Sequence, residues 1–294
     1  MEKNAKRQEK KYKLKGHETF CIREGWLSKG IKAVSENPKV FTEMYGADAL
    51  GVGSNMAKAI RYWLKASGLT VEVSGKGVLL SEFGKIVLKY DPYLEENFTL
   101  WCIHINLVQN KENATSWYLF FRKYQLEEFT KDELENFLTE QLTKYIGTND
   151  FSARSLKDDC NVLMQMYGRE KIMENDPEDK RICPLSRLGI LRKNQEVYKR
   201  TGPDYNTISS DVLYYLMQEN RDEKAISMEE FYSGEVGVQS VLGVGMNLYQ
   251  EYLEQLAKEG LIDLNRTAGL DMIYKLKFLS KEEIALHYYE KVRK

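Results

Sequence analysis

Only three of the 294 residues are histidine, four are cysteine and five are proline. His17, His104 and His287 are too few for a histidine-rich nuclease centre. Cys21, Cys102, Cys160 and Cys183 are spread too widely for a disulfide framework, and such usage reads as cytosolic. No run approaches the ~18 uninterrupted apolar residues that a membrane helix needs. The start, MEKNAKRQEKKYKLK, is basic but has no apolar segment after it, so it is not expected to be a secretory signal. A G-x-x-x-x-G-K-[ST] nucleotide loop and a Rossmann fingerprint are both missing, since GVGSNMAK carries its lysine at the wrong spacing. A net charge of −1 argues against a chain coated in nucleic acid along its length.

What is present suits a globular protein of two domains or more, 43% hydrophobic and 30% charged. The charge is uneven. Residues 1–15 hold seven Lys/Arg against two Glu, whereas 127–140 and 174–179 are acidic. Contact with DNA is therefore expected to be local, made by the basic arm and one cationic module.

That module is centred on GVGSNMAKAIRYWLKASGL (51–69). At about 100° per residue, Met56, Ile60, Trp63 and Leu64 fall on one side of a helix and Lys58, Arg61 and Lys65 on the other. The framework recurs 192 residues later as GVGMNLYQEYLEQLAKEGL (243–261). Gly-x-Gly permits a positive φ, Ser or Asn is expected to cap the helix, and Gly68 or Gly260 to stop it in the left-handed conformation. A β-rich stretch with a reversal follows each copy, TVEVSGKGVLL and LIDLNRTAGLDMIYKLKF, which is the order of a winged helix-turn-helix. The cationic stripe is not duplicated: its places are taken by Gln250, Leu253 and Ala257. The first copy is thus expected to touch DNA phosphates through Ser54, Asn55, Lys58, Arg61, Lys65 and Lys76 of the wing. The second is expected to pack against protein through Gln250, Leu253 and Ala257.

Along the chain, residues 1–15 read as a flexible basic arm. Residues 16–96 form an N-terminal winged helix-turn-helix, with Trp26, Leu27, Ile31 and Val34 at helical spacing. Residues 97–206 read as a central helical domain, where Thr130 with Glu133 makes a capping box and SARSLKDDCNVLMQMYG a further helix. ENDPEDKRICPLSRLGIL (174–191) reads as a loop. Residues 207–294 form a C-terminal winged helix-turn-helix, with a second capping box at Ser280 and Glu283. The fold class is mainly α with small β wings: tandem winged modules flanking a helical bundle.

Reactive side chains are densest at His17, Glu18, Arg23 and Glu24. Histidine can act as acid, base or ligand near neutral pH and arginine can clamp a phosphate, but a capping and salt-bridge cluster before a helix has the same composition. His17, Cys21, Cys160 and Cys183 would suffice in number for zinc, without the C-x₂₋₄-C spacing. Asp158 with Asp159, and Glu174, Asp176, Glu178 and Asp179, could hold Mg²⁺ or Mn²⁺ through carboxylates, or be ordinary acidic loops.

GHETFCIREGWL, GVGSNMAKAIRYWL, the DDCNVL helix, the ICPLSRLGIL loop and the GLDMIYKL wing, in that order, resemble a prokaryotic family, domain of unknown function four thousand and seven. The resemblance runs from about residue 14 across nearly the whole chain. Members of that family look like partners of DNA phosphorothioation genes. There an adenosine-phosphosulfate-reductase-like sulfurtransferase, a cysteine desulfurase and an ATPase replace a non-bridging phosphate oxygen with sulfur in phage defence. The resemblance implies a DNA-nicking component with His17, Glu18, Arg23, Asn55, Lys58 and Arg61 as its functional surface, although Cys21 stands where proline is expected. The expected function is DNA binding in such a system, with strand nicking, DNA, the sulfurtransferase and the ATPase as partners, and a homodimer left open. Two alternatives are a non-catalytic adaptor that brings the sulfurtransferase to DNA, and a transcription regulator of the defence operon.

Overall fold

The computed structural model describes residues 10–42, 46–124, 126–169, 182–220, 223–267 and 270–293. The apolar spacing at Trp26, Leu27, Ile31 and Val34 produces α1 (Trp26–Glu36), which buries all four. α2 (Ala47–Leu50) and α3 (Ser54–Ala66) follow, then the antiparallel hairpin β1 (Thr70–Val73) and β2 (Gly77–Leu80), then α4 (Glu82–Tyr90), capped by the Ser81 hydroxyl. The framework glycines act as expected in part. Gly51 and Gly68 take φ of 63° and 76°, so the chain enters and leaves α3 through the left-handed region that glycine tolerates. The cap itself is Gly53, with no side-chain bond, and Ser54 is the first helical residue rather than the cap.

The middle of the chain is built on α5 (Asn97–Gln109), which is apolar all round and buried along most of its length, as a helix in the centre of a core must be. α6 (Thr115–Lys123) packs against it. Then come β3 (Glu128–Thr130), α7 (Lys131–Ile146), whose capping box at Thr130 and Glu133 forms in full, and α8 (Ala153–Tyr167). The region is not a pure helical bundle. β4 (Gly168–Arg169), β5 (Leu191–Asn194) and β6 (Val197–Arg200) join β3 in a four-stranded sheet of order β3-β6-β5-β4, parallel only between β4 and β5. Its strands are two to four residues long and mostly polar, so they carry little alternation. Pro184–Leu188, expected as loop, is a 3₁₀ helix against α5 and α8.

The C-terminal region runs α9 (Ser210–Met217), β7 (Ala225–Ser227), α10 (Met228–Ser233), α11 (Val238–Leu242), α12 (Met246–Lys258), β8 (Ile262–Thr267), β9 (Leu270–Lys275) and α13 (Lys281–Val292). The three strands form an antiparallel sheet of order β7-β9-β8. α12 repeats α3 in detail: both have 13 residues, Gly243 and Gly260 take φ of 68°, and the cap is again a bare glycine, Gly245. The whole is mainly helical with small sheets, and among the described residues no helix is long and apolar enough to cross a membrane.

The last helices of the two copies meet. α4 and α13 pack together, and Tyr90 and Tyr289, equally spaced from the capping serines Ser81 and Ser280, stack at 5.4 Å with their planes 7° apart. His104 of α5 ties the middle to the C-terminal region: Nε2 donates to the Val241 carbonyl of α11 at 2.8 Å, and Nδ1 accepts from the Tyr167 hydroxyl of α8 at 2.9 Å. Burial pulls its pKa down to about 4. The unfolded chain, with an ordinary histidine pKa of about 6.5, therefore binds a proton that the folded chain does not between those values, so stability falls as pH drops through this window. Unfolding free energies of wild type from urea titrations at about pH 7 and about pH 4.5 should differ more than those of His104→Gln, by on the order of 2 kcal/mol.

Candidate nucleic-acid interface

The GHETF stretch is a fastening. Lys15, Glu18 and Thr19 all take positive φ, at 56°, 51° and 73°, which costs about 1–3 kcal/mol each for residues other than glycine and persists only where surrounding contacts impose it. Those contacts converge on Asp159 of α8. One oxygen accepts from the Lys15 amide at 2.7 Å and from His17 Nε2 at 2.9 Å, and the other accepts from the Ser116 hydroxyl at 2.5 Å. His17 Nδ1 accepts from the Thr19 amide, and the ring lies flat on Trp63 of α3 at 5.6 Å. A Cβ on Gly16 would stand 2.3 Å from the Tyr62 ring, so only glycine fits this approach. Lys15 Nζ pairs with Asp158 at 2.7 Å, and the Lys13 amide donates to Thr115. The end of the arm expected to be flexible over residues 1–15 is thus held to the molecule at Lys13 and Lys15, and the hold continues through Phe20; residues 1–9 lie outside the described residues.

This placement corrects the role expected of His17. It is fully buried, and both ring nitrogens are occupied within the protein. Glu18 is half-buried, and Arg23 lies over the Phe20 and Trp26 rings at 5.6 and 5.2 Å. Among the described residues no hydrogen bond or ion pair joins His17 to Glu18 or to Arg23.

The expected metal sites do not assemble among the described residues, where no three His, Cys, Asp or Glu side chains are grouped to hold an ion. Asp158 and Asp159 are committed to Lys15 and to His17, Ser116 and the Lys15 amide, which leaves no free pair of carboxylate oxygens. Burial raises the thiol pKa of Cys21, Cys160 and Cys183, the opposite of what a zinc thiolate requires. Glu174, Asp176, Glu178 and Asp179 lie outside the described residues.

On α3 the expected separation of faces holds. Ile60, Trp63 and Leu64 are fully buried, Lys58, Arg61 and Lys65 are half-buried, and Ser54, Asn55 and Lys76 are exposed. A feature not anticipated is Glu72 of β1, which gathers two of the three cations. It accepts from Arg61 at 2.9 Å and from Lys65 at 2.9 Å. Partial burial pushes the Glu72 carboxyl up, but the bonds to Lys65 and Arg61 outweigh it and hold the pKa below its usual value.

On α12 the matching face is different in kind. Leu253, expected at a protein interface, has no exposed surface and belongs to the chain's own core, while Ala257 is half-buried against that core and Gln250 is exposed. The reason is a change of flank. α3 buries Ala59, Tyr62, Trp63 and Ala66, with His17 against Tyr62 and Trp63, whereas α12 has Glu251, Glu254, Gln255 and Lys258 at those places, all exposed. Tyr249, Tyr252 and Leu256 are buried at places where α3 buries Ala57, Ile60 and Leu64, and Leu253 adds a buried residue where α3 has Arg61.

A cleft of about 1000 Å³ opens where Lys10 and Lys11, just ahead of the fastened segment, meet the α5–α6 turn, α6 and α7. Lys10, Lys11, Lys111 and Lys144 line it together with Tyr118 and Tyr145. One wall is the Lys123–Glu235 ion pair at 2.5 Å, which it shares with a second cavity of about 550 Å³. In that cavity Arg200 donates to the Tyr124 and Ser240 carbonyls and lies over Phe120, and burial lowers its pKa to about 10. No sequence signal announced the cleft, because its lysines come from segments far apart in the chain.

Fold and surface together define a mainly helical protein in which a helix-and-hairpin unit occurs twice around a central region bearing a cationic cleft. Residues 14–289 match the family model DUF4007, described as a protein of unknown function, and the chain belongs to that family. No curated protein matches it. Its fold is similar to that of SspB, with a TM-score of 0.81 and 24% identity over 95% of this chain and 88% of that one. It is likewise similar to magnesium ion-bound SspB, with a TM-score of 0.79 and 22% identity over 95% of this chain and 94% of that one.

Proposed function

We propose that both copies are winged helix-turn-helix modules and that the protein is the DNA-binding component of a DNA phosphorothioation and phage-defence system. The observation that carries this reading is the duplicated glycine-framed helix with its following hairpin, of which the first copy alone carries the Lys58, Arg61 and Lys65 stripe, replaced in the second by Gln250, Leu253 and Ala257. In winged modules the second helix of the pair enters the major groove. Ser54, Asn55 and Lys58 at the start of α3 are the leading contacts, with Lys76 at the wing tip against the backbone. The acidic face of α12, with Glu251 and Glu254 outward, suits a neighbour other than DNA. Family membership supplies the phosphorothioation setting, through the gene partnerships that the family resemblance implies.

The test is duplex binding measured against salt. Lys58→Ala/Arg61→Ala should weaken binding across all sequences and flatten the salt slope by roughly two units, one per lost phosphate contact. Glu72→Ala should act in the opposite sense, because it releases Arg61 and Lys65 to the phosphates. Unchanged slopes in both variants would remove α3 from the DNA. Strand nicking is tested on supercoiled plasmid with Mg²⁺, Mn²⁺ or EDTA beside Glu18→Ala, a half-buried position whose side chain makes no hydrogen bond among the described residues. Open circles from wild type alone assign nicking to the N-terminal motif, whereas a retarded but intact plasmid leaves binding only.

A further inference from the structure

We infer that the lysine-lined cleft binds a single strand of nucleic acid, its phosphates on Lys11, Lys111 and Lys144 and a base on Tyr118. This rests on the reading of the chain as a DNA-handling protein and adds a second site, apart from α3, for a strand freed from the duplex. Over the whole chain acidic and basic residues nearly balance, 44 against 43, yet this cleft is lined by five lysines and two glutamates. Lys123 is neutralised by Glu235, and Lys144 is paired with Glu140 outside the lining. Lys11 and Lys111 are exposed, with no ion-pair partner among the described residues.

The aromatic rings separate a nucleic acid from any other polyanion. Tyr118 and Tyr145 stand 6.2 Å apart between the lysines. Arg122, itself buried, lies against the Tyr118 ring at 4.7 Å, and the ring lines the cleft. Lys10 lies over the Tyr145 ring at 4.9 Å, where an incoming base could displace it toward a phosphate. Lysines interleaved with stackable rings are how strand-tracking grooves hold unpaired bases, whose faces a duplex hides.

The experiment is fluorescence anisotropy of the full chain with fluorescein-labelled oligothymidylate, and with a duplex of equal length, over a range of salt. Lys111→Ala/Lys144→Ala should weaken oligothymidylate binding at least about tenfold and flatten its salt slope by roughly 1.4 units, with duplex binding retained. Tyr118→Leu, which keeps the apolar bulk, should weaken it about 5- to 100-fold with the slope unchanged. If oligothymidylate binds but neither variant alters it, or if only the duplex binds, the cleft inference falls while the winged-module reading stands. If the lysines matter and Tyr118→Leu does not, the cleft is a general polyanion site and the inference falls again. Retention of oligothymidylate binding by Lys58→Ala/Arg61→Ala, whose duplex binding drops, would place the two sites apart as inferred.

Discussion

Leu253→Glu should unfold the C-terminal module, whereas Arg61→Glu at the matching place on α3 should leave the protein folded. The two positions are 192 residues apart in the same framework, but one side chain has no exposure and the other is 40% exposed. Removing the buried leucine costs about 2–5 kcal/mol, and placing a carboxylate in the same apolar site adds several more. The sum is comparable to the whole stability of a domain, about 5–15 kcal/mol. Arg61→Glu gives up a surface ion pair with Glu72, a loss on the order of 1 kcal/mol at most. Thermal unfolding followed by circular dichroism separates the cases. A Leu253→Glu protein that melts like wild type would show that α12 does not bury this flank.

Asp159→Ala should be the second most damaging exchange, at about 3–5 kcal/mol, because it strands a buried imidazole, a buried hydroxyl and a backbone amide without their acceptor. The loss should also be local. With His17 unseated, the left-handed residues Lys15, Glu18 and Thr19 lose the contacts that impose their conformation. The ring of Trp63 then loses its stacked neighbour. Urea unfolding gives the magnitude, and tryptic cleavage within Lys10–Arg23 at concentrations that spare wild type gives the location. Since Lys10 and Lys11 line the cleft, the same variant should bind oligothymidylate more weakly. Stability equal to wild type would mean that the GHETF segment is seated by Trp63 and Tyr62 alone.

The helices were legible because their signals are local. Thr130 with Glu133 and Ser280 with Glu283 are capping boxes, and Gly68 and Gly260 are left-handed stops; each works within one turn. The repetition of one framework with its hairpin could be read for the same reason. The central sheet could not, since β5 and β6 are short, polar and joined at Gln195, which takes a positive φ without being glycine or asparagine. Long-range electrostatics were equally hidden. His17 looked reactive because its partner Asp159 is 142 residues away, and the α3 stripe looked free because Glu72 lies on the next strand. Leu253 lies in the chain's own core rather than at an interface with another protein, since helical spacing identifies an apolar flank but not what covers it.

The separation of His17 from Asp159 also bears on how the protein is made. A chain synthesised from its N-terminus can form α1, α3 and the first hairpin early, from contacts close in sequence. The hydrogen bonds that seat His17 must wait until residue 159 has left the ribosome. Until then the Tyr62–Trp63 flank of α3 lacks its cover, so the first module emerges unfinished and the nascent chain exposes two large aromatic rings. Slower translation before α8 should lengthen that exposure and make the growing chain a client for chaperones that bind aromatic surface.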